Sequence, residues 1–193
     1  MADDVIVFLD LETTGLNTRK AGILEVGAVA TTTELEVLDD FEMLCWPSGL
    51  TAAPASYMTP KVQQMHRDNG LLAELEAAGD SLASMAEVDE ALLRWLDDKP
   101  AGPSARRVLA GSGSERFDRQ LMETWLPRSV AALHYAGADV SPVRMMAGWW
   151  APELAARVVA ARDGNERPHR ALDDAYCARA QAWVLREAFL SLC

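Results

Sequence analysis

The sequence predicts an α/β domain in which helices pack on a mixed sheet, and three observations predict it. The first quarter holds three runs of strand type, the remainder is dominated by helical periodicity, and two short apolar runs interrupt those helices. With 193 residues, 50% of them hydrophobic, and neither an internal repeat nor a low-complexity tract, residues 1–193 are expected to be one domain with a full core.

The first strand is Val5-Ile6-Val7-Phe8-Leu9, continuing through Asp10-Leu11-Glu12 to the turn signal Thr13-Thr14-Gly15-Leu16. Ile23–Ala30, and then Leu35–Leu38 through Phe41–Trp46, read as second and third strands, and their Thr-rich connection predicts an antiparallel hairpin. Pro47 to Pro60 reads as a loop. From Pro60 the pattern turns helical, and Leu71–Ala78 is a short helix that Gly79 stops. Ser84-Met85-Ala86-Glu87 is a capping box that opens a helix with Val88, Leu92, Trp95 and Leu96 on one face. Lys99–Ser104 is the strongest breaker, and Arg107–Gly111 after it is a brief strand. Phe117–Leu126 is a helix ended by Pro127, and Val130–Tyr135 is read as a further helical turn. Ala138–Val140 reads as a last strand, Val143–Trp150 and Pro152–Ala161 as helices, and residues 163–168 as a loop into a final helix over 171–190.

Composition excludes several classes. A formal net charge of -11 argues against a protein that grips long nucleic acid through a broad basic face, though not against a small anionic substrate drawn in by metal ions. The arginines at 106, 107, 116, 119, 167 and 170 are local exceptions, and for most of them scattered surface placement is the expectation. No run of eighteen apolar residues and no signal peptide are present, so a cytoplasmic protein without membrane association is expected. Cys45, Cys177 and Cys193 show no close pairing and read as free thiols.

Chemistry gathers in three separated places. Side chains two apart on a strand share a face, so Asp10 and Glu12 project together from the end where α/β sheets carry ligands. Two like charges held there repel unless a cation joins them, which makes a divalent metal the natural partner. Taken alone, the pair also fits an edge strand with two solvated acids. Asp118 falls on the face of Leu121, Met122 and Trp125 and so points inward, although an acid at a helix N-terminus is also favoured by the dipole. In Pro168-His169-Arg170-Ala171-Leu172-Asp173-Asp174, the histidine and the last acid would lie about 140° apart if both were helical. They would not share a face, and His169, following Pro168, is expected in the loop, where a lone histidine also fits a solvated side chain. Either acid also fits a helix N-terminus, and periodicity leaves Asp173 and Asp174 equivalent.

Together these residues resemble the DEDD superfamily of 3′-to-5′ exonucleases, in its branch with a histidine base, and within it most closely the oligoribonucleases. The resemblance runs through Asp10-Leu11-Glu12, Asp118, His169 and Asp174. It is reinforced by the spacing of Met58, His66, Gly70 and Leu71, and by His134-Tyr135 with Asp139-Val140-Ser141. It implies a ribonuclease H-like, mixed five-stranded sheet flanked by helices. It also implies a homodimer and two divalent ions, Mg²⁺ or Mn²⁺, held by Asp10, Glu12, Asp118 and Asp174, and it selects Asp174 over Asp173. His169 is implied as the general base, a task that suits a group titrating near neutrality.

For substrate binding the resemblance implies Thr13, Gly15, the leucine wedge Leu16, Met58, the phosphate-capping serines Ser114 and Ser141, and Tyr135 lent by the other subunit. Lys61 stands where the family has a tryptophan wedge, and Ala136 where it has a phosphate-capping arginine, so a broadened or altered length preference is expected. The expected activity is release of nucleoside 5′-monophosphates from short single-stranded RNA, and possible substrates extend to DNA. The alternatives are a proofreading-type single-stranded DNA exonuclease and a catalytically silent nucleic-acid-binding protein.

Overall fold

The computed structural model describes residues 4–46, 54–98, 106–162 and 167–192. The predicted breaker at 99–104 falls outside these residues in full or in large part, as do 47–53 of the first loop, 163–166 of the last one, and Cys193.

Strands β1 (Val5–Thr13), β2 (Ile23–Thr31) and β3 (Val37–Trp46) form an antiparallel meander. At the β2–β3 turn the Thr32 hydroxyl accepts from the Glu34 and Glu36 N–H groups. Leu35 takes a φ of 67° there and turns its side chain into the core. It belongs to the turn, so β3 begins two residues later than its apolar pattern predicts. The sheet is completed by β4 (Ala83–Ser84), β5 (Arg107–Gly111) and β6 (Ala138–Asp139), in the order β4-β3-β2-β1-β5-β6. Six strands replace the expected five. The extra one, β4, is a two-residue parallel pairing with Cys45 and Trp46, too short to leave a period-2 signal.

The helices are α1 (Pro60–Asp68), α2 (Leu71–Ala78), α3 (Met85–Asp98), α4 (Asp118–Trp125), α5 (Pro127–Ala131), α6 (Val140–Trp150), α7 (Pro152–Ala160) and α8 (Ala171–Leu190). The α3 capping box is formed in both directions, Ser84 N–H to Glu87 at 2.8 Å and Glu87 N–H to Ser84 Oγ at 3.4 Å. The predicted turn at 130–135 is shifted, because Pro127 opens α5 rather than ending local structure. Proline suits a first helical position, where no N–H is needed. Buried Asp89 of α3 then accepts from the Arg128 and Ser129 N–H groups, satisfying donors that α5 leaves open.

β1 is buried on both faces. Val5, Val7, Leu9 and Leu11 pack toward α3 and α4, whereas Phe8 packs with Val29, Ala175 and Ala178 toward α8. By alternation Asp10 and Glu12 lie on the α8 side. Helix α8 lies close against the sheet because its buried stripe starts with small residues, Ala171, Ala175 and Ala178. Gly27, the cross-strand partner of Asp10, is needed for this approach, since a Cβ there would sit 2.1 Å from the Leu172 nitrogen. Among the described residues no helix is long and apolar enough to cross a membrane.

Candidate active site

The parallel pairing of β1 with β5 stops at Phe8–Ala110, while β1 runs on to Thr13. Its last residues therefore border a crevice at the C-terminal ends of two parallel strands, the usual place for ligands in such sheets. A cleft of about 310 Å³ opens there, and Asp10, Glu12, Asp118, His169 and Asp174 all line it. Thr13, Gly15 and Leu16 form its rim, together with Val62, Met65, Ser112, Gly113 and Phe117.

Each acid arrives on a different support. Asp10 and Glu12 come from the paired part of β1, Asp118 from the first turn of α4, and Asp174 from the first turn of α8. The donor atoms of Glu12, His169 and Asp174 all lie within 4.8 Å of one another. His169 is in the loop, as expected, with a left-handed φ of 62° and its N–H donated to Asp174 Oδ2 at 3.2 Å. Asp173 turns away and pairs with Arg167 at 2.9 Å.

The electrostatics of the group are those of a cation site. Burial, then the neighbouring charges of Asp174 and Glu25, push Asp10 up to about 8. Burial and the Asp10 charge push Glu12 up to about 9. Asp118 is raised well above the carboxylate range by burial and Asp10, and Asp174 is raised by burial, with His169 opposing. Such repulsion is what a divalent cation relieves, and an all-carboxylate donor set suits a hard ion. The residues present therefore fit a divalent metal.

The other expected substrate residues are dispersed. Lys61 lines a second cavity of about 650 Å³, bordered by α1 and residues 167–169, which shares Met65 and His169 with the first. Met58 is buried beside Leu24, Leu71 and Leu75, beneath α2. Ser114 is buried under Gly111, and Ser141 Oγ meets Ser112 Oγ at 3.0 Å. Tyr135 is 86% exposed, its ring against His134.

Sequence reasoning missed the support behind the acids. Arg170 is 2% exposed, not a surface residue. Its guanidinium binds Glu25 through Nε at 3.0 Å and Nη2 at 2.6 Å, and Glu74 through Nη1 and Nη2, both at 2.8 Å. Glu25 also accepts from the Ala171 N–H at 2.8 Å. The available signal was Glu25 itself, a charge inside an otherwise apolar strand, which requires a buried partner. His66, fully buried, donates from Nε2 to the Thr13 carbonyl at 3.1 Å and turns Nδ1 toward Glu12 at 4.0 Å.

Comparison with known proteins adds independent findings. An exonuclease family model matches residues 7–180. The chain is 34% identical over 172 residues to an oligoribonuclease of Corynebacterium glutamicum, covering 89% of this chain and 74% of that protein. It is 29% identical over 196 residues to one of Chromobacterium violaceum, covering all of both. Among solved structures it is similar to E. coli exonuclease I in complex with an oligonucleotide, with a TM-score of 0.72 at 18% identity, covering 98% of this chain and 42% of that one. At that identity the likeness speaks for the fold alone.

Proposed function

The chain belongs to the exonuclease family, and we propose from that premise that it is a 3′-to-5′ exonuclease degrading short RNA oligonucleotides to nucleoside 5′-monophosphates. The observation that carries the reading is the convergence of Asp10, Glu12, Asp118, Asp174 and His169 on one cleft at the end of β1. The relatives named oligoribonuclease favour RNA as the substrate.

Asp10, Glu12, Asp118 and Asp174 would hold the metal, as two Mg²⁺ or Mn²⁺ ions. When bound, such ions lower the barrier by polarising the phosphoryl oxygens and the attacking water. His169 takes the proton from that water, and its place in the loop leaves the imidazole free to reach over the carboxylates. Leu16, 86% exposed at the rim, stacks against the terminal base while Thr13 and Gly15 line its ribose. Lys61, on the adjoining cavity, meets the upstream chain. The phosphate cap is assigned to Ser141, beside Ser112 of the cleft, whereas Ser114 is wholly buried and Met58 packs against Leu24 in the core, so neither is open to the substrate as expected.

Residues 1–193 are read as one exonuclease domain acting in the cytoplasm as a homodimer. The exposure of Tyr135, away from its own cleft, favours its being lent to a second copy. The exposed Met145, Trp149 and Trp150 of α6 offer apolar surface for such contact.

The test is release of mononucleotides from labelled RNA ladders beginning at the dinucleotide, beside matched DNA ladders, with and without EDTA. Metal-dependent shortening of RNA from the 3′ end is expected, and comparable rates across lengths would follow from Lys61 and Ala136. Faster decay of DNA than RNA would instead select the proofreading-type reading, and no hydrolysis at all would select the silent one.

A further inference from the structure

His169 holds a backbone conformation that a residue with a Cβ rarely adopts, φ 62°, at the point where its ring must meet the carboxylates. Such a conformation persists only where its surroundings over-determine it. The surroundings here are largely one element. Asn69, at the corner between α1 and α2, donates from Nδ2 to the His169 carbonyl. The orientation of that amide is fixed by its other end, because Oδ1 accepts from the Leu71 N–H at 3.0 Å. Gly70, with φ 83°, makes the corner that puts Asn69 there.

The same element reaches the next residue. Glu74 of α2 binds both terminal nitrogens of Arg170, whose other side is bound to Glu25 of β2. Glu25 in turn accepts from the Ala171 N–H and so fixes the start of α8. One turn before the corner, His66 of α1 holds the Thr13 carbonyl at the end of the strand bearing Glu12. The α1–α2 unit is thus tied to the β1 end, to His169 and to Arg170, while Val62 and Met65 of α1 line the cleft itself.

We infer that the α1–α2 unit is a positioning clamp for His169, acting through Asn69 on its carbonyl and through the Glu74–Arg170–Glu25 network on the residue that follows. The inference rests on the reading of His169 as the base. Asn69, Glu74 and Arg170 are positioning residues, since none of them needs to touch the reacting atoms. Residues that contact substrate and residues that hold the base then share one rigid support.

The experiment uses the full chain with two substitutions. N69D keeps the acceptor for Leu71 but removes the donor to His169, and E74Q keeps the shape of the Arg170 contact while removing its charge. A displacement on the order of 1 Å costs about 100-fold in rate, so kcat on short RNA should fall about 10- to 100-fold in N69D and less in E74Q. Mn²⁺ binding by calorimetry and the melting temperature should stay at the parent's values in both, and KM should stay so in E74Q but rise in N69D, whose new carboxylate lines the cavity of Lys61. Amide exchange at His169 and Ala171, whose N–H groups are held by Asp174 and Glu25, should accelerate.

Parent-like kcat and exchange in both variants would overturn the clamp. So would a fall in kcat matched by losses of Mn²⁺ affinity and melting temperature, because that reports general loosening. Should the parent itself release no nucleotide, the exonuclease reading fails, and amide exchange in N69D alone then decides whether the clamp exists.

Discussion

Glu12 and Glu25 face each other across β1 and β2, both buried, and they have opposite surroundings. Glu25 has a guanidinium and a backbone N–H within hydrogen-bonding distance. Glu12 has other carboxylates for neighbours, with a ring nitrogen of His169 within 4.8 Å and the bare Nδ1 of His66 at 4.0 Å, neither of them a charged partner like the Arg170 guanidinium. A buried carboxylate whose partners are built into the chain belongs to the scaffold. One left facing like charges is a ligand for something the chain does not itself supply. The same contrast separates Asp89, satisfied by the α5 backbone, from Asp118, pushed up beside Asp10.

The comparison breaks most visibly at Asp10. Asp10→Ala or Asp174→Asn should lower the rate of oligonucleotide hydrolysis by about a thousandfold or more, with the circular dichroism spectrum unchanged. Retained turnover in either would dissolve the ligand assignment. On the other side of the strand pair, Glu25→Leu takes its buried partner from Arg170, leaving the half-exposed Glu74, and should cost about 3 kcal/mol in denaturant unfolding.

Glu12→Gln should carry the opposite sign in metal-free protein. At pH 8 it replaces a carboxyl that must take up a proton on folding by a neutral amide, so stability at pH 8 should rise by on the order of 1 kcal/mol. The same logic sets a pH dependence. Asp10 and Glu12 have folded values raised to about 8 and about 9 from ordinary values of 3.8 and 4.5. Their contribution is complete below the ordinary values and is lost as pH rises through the raised ones. Melting of EDTA-treated protein should therefore fall between those limits, and added Mn²⁺ should restore most at the alkaline end. A flat profile would show that the carboxylates are not crowded. The smallest effect is expected at Glu74→Gln, because Glu74 is itself half exposed, below about 1 kcal/mol in stability.

Much of this site was legible because its parts obey local rules. The alternation of β1 puts Asp10 and Glu12 on one face, and the helical face of Leu121 and Met122 turns Asp118 inward. Where signals are long-range, reading stopped. Asp173 and Asp174 are equivalent by periodicity, and in the structure they separate because Asp173 pairs with Arg167 while Asp174 lines the cleft. Arg170 looks like any surface arginine until Glu25, far away in sequence, is brought against it. Strand β4 exists only because two residues happen to lie beside Cys45 and Trp46.

The sequence by itself determined an α/β fold, the acids and histidine that belong together, and their order along the chain. The fold follows from side-chain period and residue chemistry, which are properties of a few neighbouring residues, and the grouping of the acids and histidine follows from the family resemblance that their order and spacing carry. The tertiary structure decided which buried charges have partners. Burial and pairing depend on contacts between distant segments, such as α8 resting on Gly27 and the α1–α2 corner reaching His169. Those contacts make one glutamate of a facing pair a support and leave the other among like charges in the cleft.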